Sequence, residues 1–291
     1  MSAGSGALVL VATPIGNLAD LSPRAVETLR DATLIAAEDT RRTRALLSHE
    51  GIAAGGRLVA VHAHNEREAA RRIVECVAGG GVVAYVSDAG TPGVSDPGTA
   101  LVRACVDAGL TVSAVPGPSA LLAALVVSGF PTDRFVFEGF LPRKGRAREE
   151  RLATIATETR TVVCFESPNR VAATLADLAR VCGADREVAV ARELTKLHEE
   201  TWRGLLGDAV ERTAGATARG EHVVVVAPAP PQVHEVDDDT LDRALRAALD
   251  GGSSARDAAA GVAAELGVPK RRAYDAAVSL RGRDGRDARH S

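Results

Sequence analysis

The sequence predicts an α/β protein of two lobes followed by a small helical domain. Three observations carry this. Two series of short β-branched runs alternate with Ala-rich stretches, SGFPTDR (residues 128–134) breaks one series from the other, and PAPPQVHEVDDD (residues 228–239) switches abruptly to proline and acid.

In the first series the runs are LVLVA (8–12), TLIAA (33–37), RLVAV (57–61), VVAYV (82–86) and TVSAV (111–115). Each is apolar at consecutive positions, so both faces need cover, and the helical stretches between them supply it. That pattern predicts a largely parallel sheet. Ser22-Pro23, Asp96-Pro97 and Ser167-Pro168 each place a capping side chain before a proline, whose missing N–H costs nothing at the first helical position. Helices are therefore expected to start at those three prolines. The second series is RFVFE (134–138), TVVCFE (161–166), EVAVA (187–191) and HVVVVA (222–227).

The expected organisation is a first lobe over residues 7–128, a second over 131–228, a linker at 229–239, a helical domain at 240–282 and a flexible basic tail at 283–291. Three helical patterns fill the helical domain, at 240–249, 254–266 and 269–280. The last two, joined at Gly267-Val268, fit a helix-turn-helix, and a plain three-helix bundle fits the same spacing.

Composition narrows the function. With 291 residues, 46% of them hydrophobic, the chain fills more than one core without staples. Cys76, Cys105, Cys164 and Cys182 stand far apart with no C-x-x-C pair, which argues for reduced thiols and against a zinc knuckle. His62 and His64 share one side of a strand end, but no third ligand stands at a metal-site spacing, so no metal is expected. The first apolar run is too short for a signal sequence or a membrane span, so a soluble cytoplasmic protein is expected. Net charge is −3, yet arginines concentrate at 41, 42 and 44, between 143 and 151, and from 271 onward. Each cluster suits a solvated helix face; together they also suit a phosphate backbone.

Motifs exclude several classes. Neither G-x-G-x-x-G after the first strand nor G-x-x-x-x-G-K-[ST] occurs, and Gly117-Pro118-Ser119-Ala120-Leu121 fails the last position of a nucleophile elbow. What stands out is three Gly/Pro-rich turns at strand ends: TPIGNL (13–18), SDAGTPGVSDPG (87–98) and PGPSA (116–120). Ligands of open parallel sheets bind outside the carboxyl ends of the strands, where these turns lie. Glycine lets backbone approach a ligand and proline stiffens the loop.

TPIGNL, EDTRRT (38–43), HNE (64–66), SDAGTPGVSDPG, PGPSA, FESPNR (165–170) and RELTKLHEE (192–200) follow one another as in the ribosomal RNA small-subunit methyltransferase I family. The chain resembles that family over residues 7–228, and its helical end resembles the family's C-terminal helix-turn-helix domain. One departure is Asn169, which stands where the family pattern has histidine.

The resemblance implies the tetrapyrrole-methylase fold, S-adenosylmethionine as methyl donor, a cytidine ribose 2′-hydroxyl of 16S rRNA in the small ribosomal subunit as acceptor, and a homodimer. It implies donor contacts at Pro14, Gly16, Asn17, Ser87, Asp88, Ala89, Gly90, Thr91, Pro92, Pro116, Gly117, Ser119, Ala120 and Phe165. Glu166, Glu193, Lys196 and Glu200 are the candidate catalytic residues, Lys196 either as a cation or, with a lowered pKa, as a base. Arg41, Arg42, His64, Arg170 and Arg192 are the candidate RNA contacts, since guanidinium forks match phosphate geometry. Two other readings stay open: a tetrapyrrole methyltransferase with the same donor, and a ligand-sensing nucleic-acid-binding regulator.

Overall fold

The computed structural model describes residues 6–62, 65–215, 220–230 and 237–287, with side chains through Arg281. His64, the centre of the linker and the end of the tail lie outside the described residues. The chain divides into two compact units, Met1–Ala229 and Pro230–Ser291.

The first unit opens with β1 (Ala7–Val11), α1 (Pro23–Asp31), β2 (Leu34–Ala37), α2 (Thr40–His49), β3 (Leu58–Ala60), α3 (Glu66–Ala78), β4 (Val82–Val86), α4 (Thr99–Asp107) and β5 (Thr111–Val115). All five strands are parallel, in the order β3-β2-β4-β1-β5. The continuous apolar runs are explained by burial on both faces: Val9, Val11, Ile35 and Ala84 enter one core, and Leu8, Ala36, Val83 and Tyr85 the other. Strand order reverses direction between β1 and β4, so the carboxyl ends of these two strands open a crevice.

α5 (Ala120–Ser128) packs against the second sheet, burying Ala124 and Leu125 on Val163, Ala189, Ala191, Val223 and Val225. It thus ties the two lobes of this unit together. The second lobe continues as β6 (Phe135–Phe140), α6 (Arg146–Thr157), β7 (Thr161–Glu166), α7 (Val171–Cys182), β8 (Glu187–Arg192), β9 (Glu200–Leu205), α8 (Leu206–Thr213) and β10 (His222–Val226). Its order is β6-β7-β10-β8-β9, with β6 parallel to β7 and the remaining pairs antiparallel.

Two of the three expected helix starts need correction. α1 begins at Pro23, with the Ser22 hydroxyl accepting from the Ala25 amide. α4 begins at Thr99 with Gly98 as its cap, because Gly98 takes φ +123° and its amide bonds the Glu66 carboxylate, leaving Asp96 in the preceding loop. α7 begins at Val171, since the Ser167 carbonyl accepts from the Arg170 and Val171 amides and Pro168 falls within that turn. Proline fixes φ equally well for a turn, so it marks a chain reversal as readily as a helix start. β9 was not anticipated from the sequence; it is an edge strand, and none of its residues is buried.

In the second unit, α9 (Asp238–Asp250), α10 (Ala255–Leu266) and α11 (Lys270–Asp287) enclose Leu241, Leu245, Val262, Ala263, Ala273, Ala277 and Leu280. Asp237 and Ser254 cap α9 and α10, and Gly267, left-handed at φ +67°, turns the chain into α11. No described helix is long and apolar enough to cross a membrane.

Candidate active site

A cleft of about 510 Å³ lies between the two lobes of the first unit. Its first-lobe wall is Glu38 at the end of β2, Arg42 on α2, the loop after β4, and Ser119 and Ala120 at the start of α5. Its second-lobe wall is Phe140, Phe165 and Glu166 at the ends of β6 and β7, with Glu221, His222 and Val223 at the start of β10. Antiparallel pairing puts the start of β10 beside the end of β7, with His222 opposite Glu166.

The three glycine-bearing loops are bonded to one another. Thr13 and Gly90 exchange backbone hydrogen bonds of 2.9 and 3.0 Å, and the Thr13 hydroxyl donates to the Ser87 carbonyl. The Thr91 hydroxyl donates to the Pro118 carbonyl at 3.2 Å. Gly90 sits at φ +79°, a conformation costly for a residue with a Cβ. A Cβ on Gly16 would lie 2.4 Å from Lys196 Cγ, so TPIGN packs directly on the RELTK segment of the second lobe. Among the described residues the non-glycine positions with positive φ are Ser95, Glu193 and Thr195, the first on the cleft wall and the others in that RELTK segment. Backbone strain of this kind costs about 1–3 kcal/mol per residue and persists where surrounding structure enforces it.

Of the residues implied as donor contacts, Asp88, Ala89, Gly90, Thr91, Ser119, Ala120 and Phe165 line the cleft. Pro14 and Ser87 line an adjoining cavity that shares Arg42 and Asp88 with it. Gly16, Asn17, Pro92, Pro116 and Gly117 line neither. Asn17 caps a short 3-10 turn, and Gly117 lies against Ala12, so both shape the loops from behind.

The candidate catalytic residues separate more sharply. Glu166 alone lines the cleft, and it is buried, accepting from the Ser167 amide (2.8 Å) and the Thr174 hydroxyl (2.7 Å) with Arg170 at 3.4 Å. Lys196 donates to Glu193 at 2.8 Å and to Glu221 at 3.1 Å. Burial alone would lower its pKa, but those two hydrogen-bonded carboxylates prevail and the net shift is upward. Of the two roles open to Lys196, the upward shift favours the cation over the base with a lowered pKa. Glu193 is correspondingly held below the usual carboxylate range, chiefly by Lys196. Glu200 ion-pairs with Arg192 at 3.0 Å and with Arg212.

Among the candidate RNA contacts, Arg41 is exposed and pairs with Asp39, while Arg42 reaches Asp88 at 3.5 Å and lines both cavities. Arg170 is directed inward, donating to the Leu141 carbonyl at 2.7 Å, and Arg192 is engaged by Glu200. Asn169 is exposed and is not part of the cleft wall.

The residues that sequence reasoning missed are Glu38, Asp96, Glu221 and His222. Burial first, then the charges of Asp88 and Asp96, raises the Glu38 carboxyl above its ordinary value. Asp96 is raised by burial as well. His222 is buried, its Nδ1 lies 3.0 Å from the Gly220 carbonyl, and burial lowers its pKa, so the ring is neutral near pH 7. The wall therefore carries five carboxylates (Glu38, Asp88, Asp96, Glu166, Glu221) against one guanidinium, Arg42. Acid beside apolar side chains such as Ile15, Val94 and Phe165 fits a ligand that is part cation and part flat apolar ring.

The comparisons with known proteins agree with this geometry. The family model of Tetrapyrrole (Corrin/Porphyrin) Methylases matches residues 7–210. A Ribosomal RNA small subunit methyltransferase I from Synechocystis is 45% identical over 94% of this chain and 98% of its own length. The protein of that name from Mycobacterium tuberculosis (strain CDC 1551 / Oshkosh) is likewise 45% identical, over 97% of this chain and 98% of its own. The chain belongs to the ribosomal RNA small subunit methyltransferase I family. As a member of that family it is a methyltransferase, and its second unit matches the RsmI C-terminal HTH domain over residues 235–281. Among solved structures, diphthine synthase superposes with a TM-score of 0.60 at 16% identity, covering 77% of this chain and 90% of that one. A Thermus thermophilus uroporphyrin-III C-methyltransferase complexed with S-adenyl homocysteine gives 0.53 at 22%, covering 77% and 97%. At such identities these two establish the shared fold.

Proposed function

We propose that this methyltransferase moves a methyl group from S-adenosylmethionine to the 2′-hydroxyl of a cytidine ribose in 16S rRNA of the small ribosomal subunit. The observation that carries the proposal is the cross-tied rim of three loops facing an acid-lined cleft, in a chain of this family. The donor supplies an activated methyl on a cationic sulfur. Asp88 to Thr91, Ser119, Ala120 and Phe165 are proposed to hold it, with Pro14, Gly16, Asn17, Ser87, Pro92, Pro116 and Gly117 fixing the loops. Carboxylates complement the cation, and Phe165, in edge contact with Phe137 (4.9 Å) and Phe140 (5.7 Å), offers an aromatic wall.

The chain's own task is to orient and to exclude water. Aligning two reacting groups contributes on the order of 7–11 kcal/mol in favourable cases. Glu166, immobilised by Thr174 and Ser167, is proposed to orient the ribose, and Lys196 to act as a fixed positive charge, with Glu193 and Glu200 setting the positions of Lys196 and Arg192. Arg41 and Arg42, with His64, are proposed to meet the RNA backbone, while Arg170 and Arg192 support the cleft from within. A homodimer is proposed on the exposed Leu122, Val126 and Val127 of α5, an apolar patch in need of cover. A ribosomal substrate implies a cytoplasmic setting.

Incubation of the protein with tritiated S-adenosylmethionine and either small ribosomal subunits or uroporphyrinogen tests the proposal. Label in a ribose-methylated cytidine of 16S rRNA is expected. Label in the tetrapyrrole, in a base, or nowhere would overturn it.

A further inference from the structure

The proposed reaction must dispose of one proton, and the residues first expected to take it are already engaged. Both carboxylate oxygens of Glu166 accept hydrogen bonds, from Ser167 and from Thr174. Lys196 is a paired cation, Glu193 holds it, and Glu200 lies between two arginines. Asp88 accepts from the Asp39 amide at 3.0 Å and faces Arg42.

Glu38 differs from all of these. It stands at the carboxyl end of β2, on the cleft wall, and its Oε2 is a buried oxygen with no hydrogen-bond partner. Buried polar atoms are nearly always satisfied, so an orphan on a ligand cleft calls for a partner, which a bound ligand can supply. The next residue, Asp39, is bonded through its amide to Asp88, so Glu38 is fixed beside the loop proposed to hold the methyl donor. We propose that Glu38 is the catalytic base of this cleft, accepting the proton of the substrate hydroxyl. This rests on the reading of the cleft as a hydroxyl-methylating site. The hydroxyl oxygen forms a bond to the methyl carbon while the carbon–sulfur bond breaks with its electron pair going to sulfur. The O–H proton passes to the Glu38 carboxylate and from there to water.

The surroundings suit the role. Asp88, Asp96 and Tyr85 face Glu38 from β4 and the loop after it, Arg42 from α2, and Glu166, Glu221 and His222 stand on the opposite wall. Burial and the two aspartates shift the carboxyl upward, toward neutrality, whereas burial shifts His222 downward, away from it. Bases work best with a pKa near the working pH, and the upward shift moves the Glu38 carboxyl in that direction.

Glu38→Gln keeps the shape and removes the base. The variant is expected to bind S-adenosylmethionine by calorimetry within about threefold of wild type and to lose roughly 10²- to 10⁴-fold in single-turnover methylation of small subunits. The wild-type rate is expected to rise with pH through the Glu38 titration, and Glu38→Gln to lose that rise. Difference infrared spectra of the unliganded protein, wild type minus Glu38→Gln, are expected to show a protonated-carboxyl band fading over the same pH interval. Glu38→Asp is expected to restore part of the rate. A single-turnover rate within about threefold of wild type, an unchanged pH profile, or loss of donor binding in Glu38→Gln would overturn the assignment. Failure of the wild type itself to methylate a hydroxyl would overturn the functional reading, and this assignment with it.

Discussion

Thr174→Val removes one hydroxyl from the network that fixes Glu166. Thr174 is fully buried and its hydroxyl donates to Glu166 Oε2 at 2.7 Å while accepting from Arg148 Nη2 at 3.1 Å. Arg148 keeps its bonds to Asp177 and to the Pro142 carbonyl, so the loss falls mainly on the carboxylate. A hydrogen bond to a charged group contributes about 1.5–3 kcal/mol, and the valine methyl returns somewhat under about 1 kcal/mol through apolar burial. The predicted net loss is about 1.5 kcal/mol, or about 3–6 °C in Tm for a unit of this size. Urea unfolding followed by the fluorescence of Trp202, the sole tryptophan, reads it, because that side chain packs on the second-lobe core. Thr174→Ser keeps the hydroxyl and should retain most of the bond. A loss below about 0.5 kcal/mol in Thr174→Val would mean that the hydroxyl contributes no more than an exposed one and that Glu166 is not held by it.

Other predictions follow from the same geometry. Gly98→Ala must hold a Cβ 2.4 Å from the Tyr85 ring at φ +123°, so it is expected to lose about 2–4 kcal/mol in the same unfolding assay. Asp39 caps α2 and pairs with Arg41, and its carboxyl is held down to about 2 from 3.8. A carboxylate with a depressed folded-state pKa stabilises above its unfolded value and loses that as pH falls; Asp39→Ala should therefore lower Tm at neutral pH, with the gap closing between pH 3.8 and about 2. Arg42→Ala is expected to weaken RNA binding and reduce the slope of log K against log salt by about 0.7–0.9, while Arg170→Ala, whose guanidinium is turned inward, should leave the slope unchanged.

How much of this was legible in the sequence depended on whether the relevant signal is local. Strands such as Val82–Val86 and Thr161–Glu166 were readable to the residue because a strand buried on both sides needs an unbroken apolar run. Glu200–Leu205 was not, since an edge strand buries no whole residue and its ETWRGL pattern overlaps a motif. Helix starts at Asp96 and Ser167 were misplaced because Ser-Pro and Asp-Pro serve turns equally well. The glycine-bearing loops were visible as composition, while their mutual bonding, Thr13 to Gly90 and Thr91 to Pro118, was not. Charge pairing was the least legible part. Lys196 is paired with its near neighbour Glu193 and also with Glu221, 25 residues distant, and no local pattern reveals the second partner. Glu38 was passed over because its burial and orphan oxygen exist only after β2 and β4 are side by side.

Titration calorimetry with S-adenosylmethionine, on the wild type and on Ala120→Phe, tests most directly the central claim that the acid-lined cleft holds a cationic methyl donor. Ala120 lies on the cleft wall at the start of α5, where a phenyl group would intrude on the space. One donor bound per wild-type chain is expected, with at least a tenfold loss of affinity, about 1.4 kcal/mol, in the variant. Absence of binding to the wild type, or binding indifferent to the phenyl group, would contradict that claim.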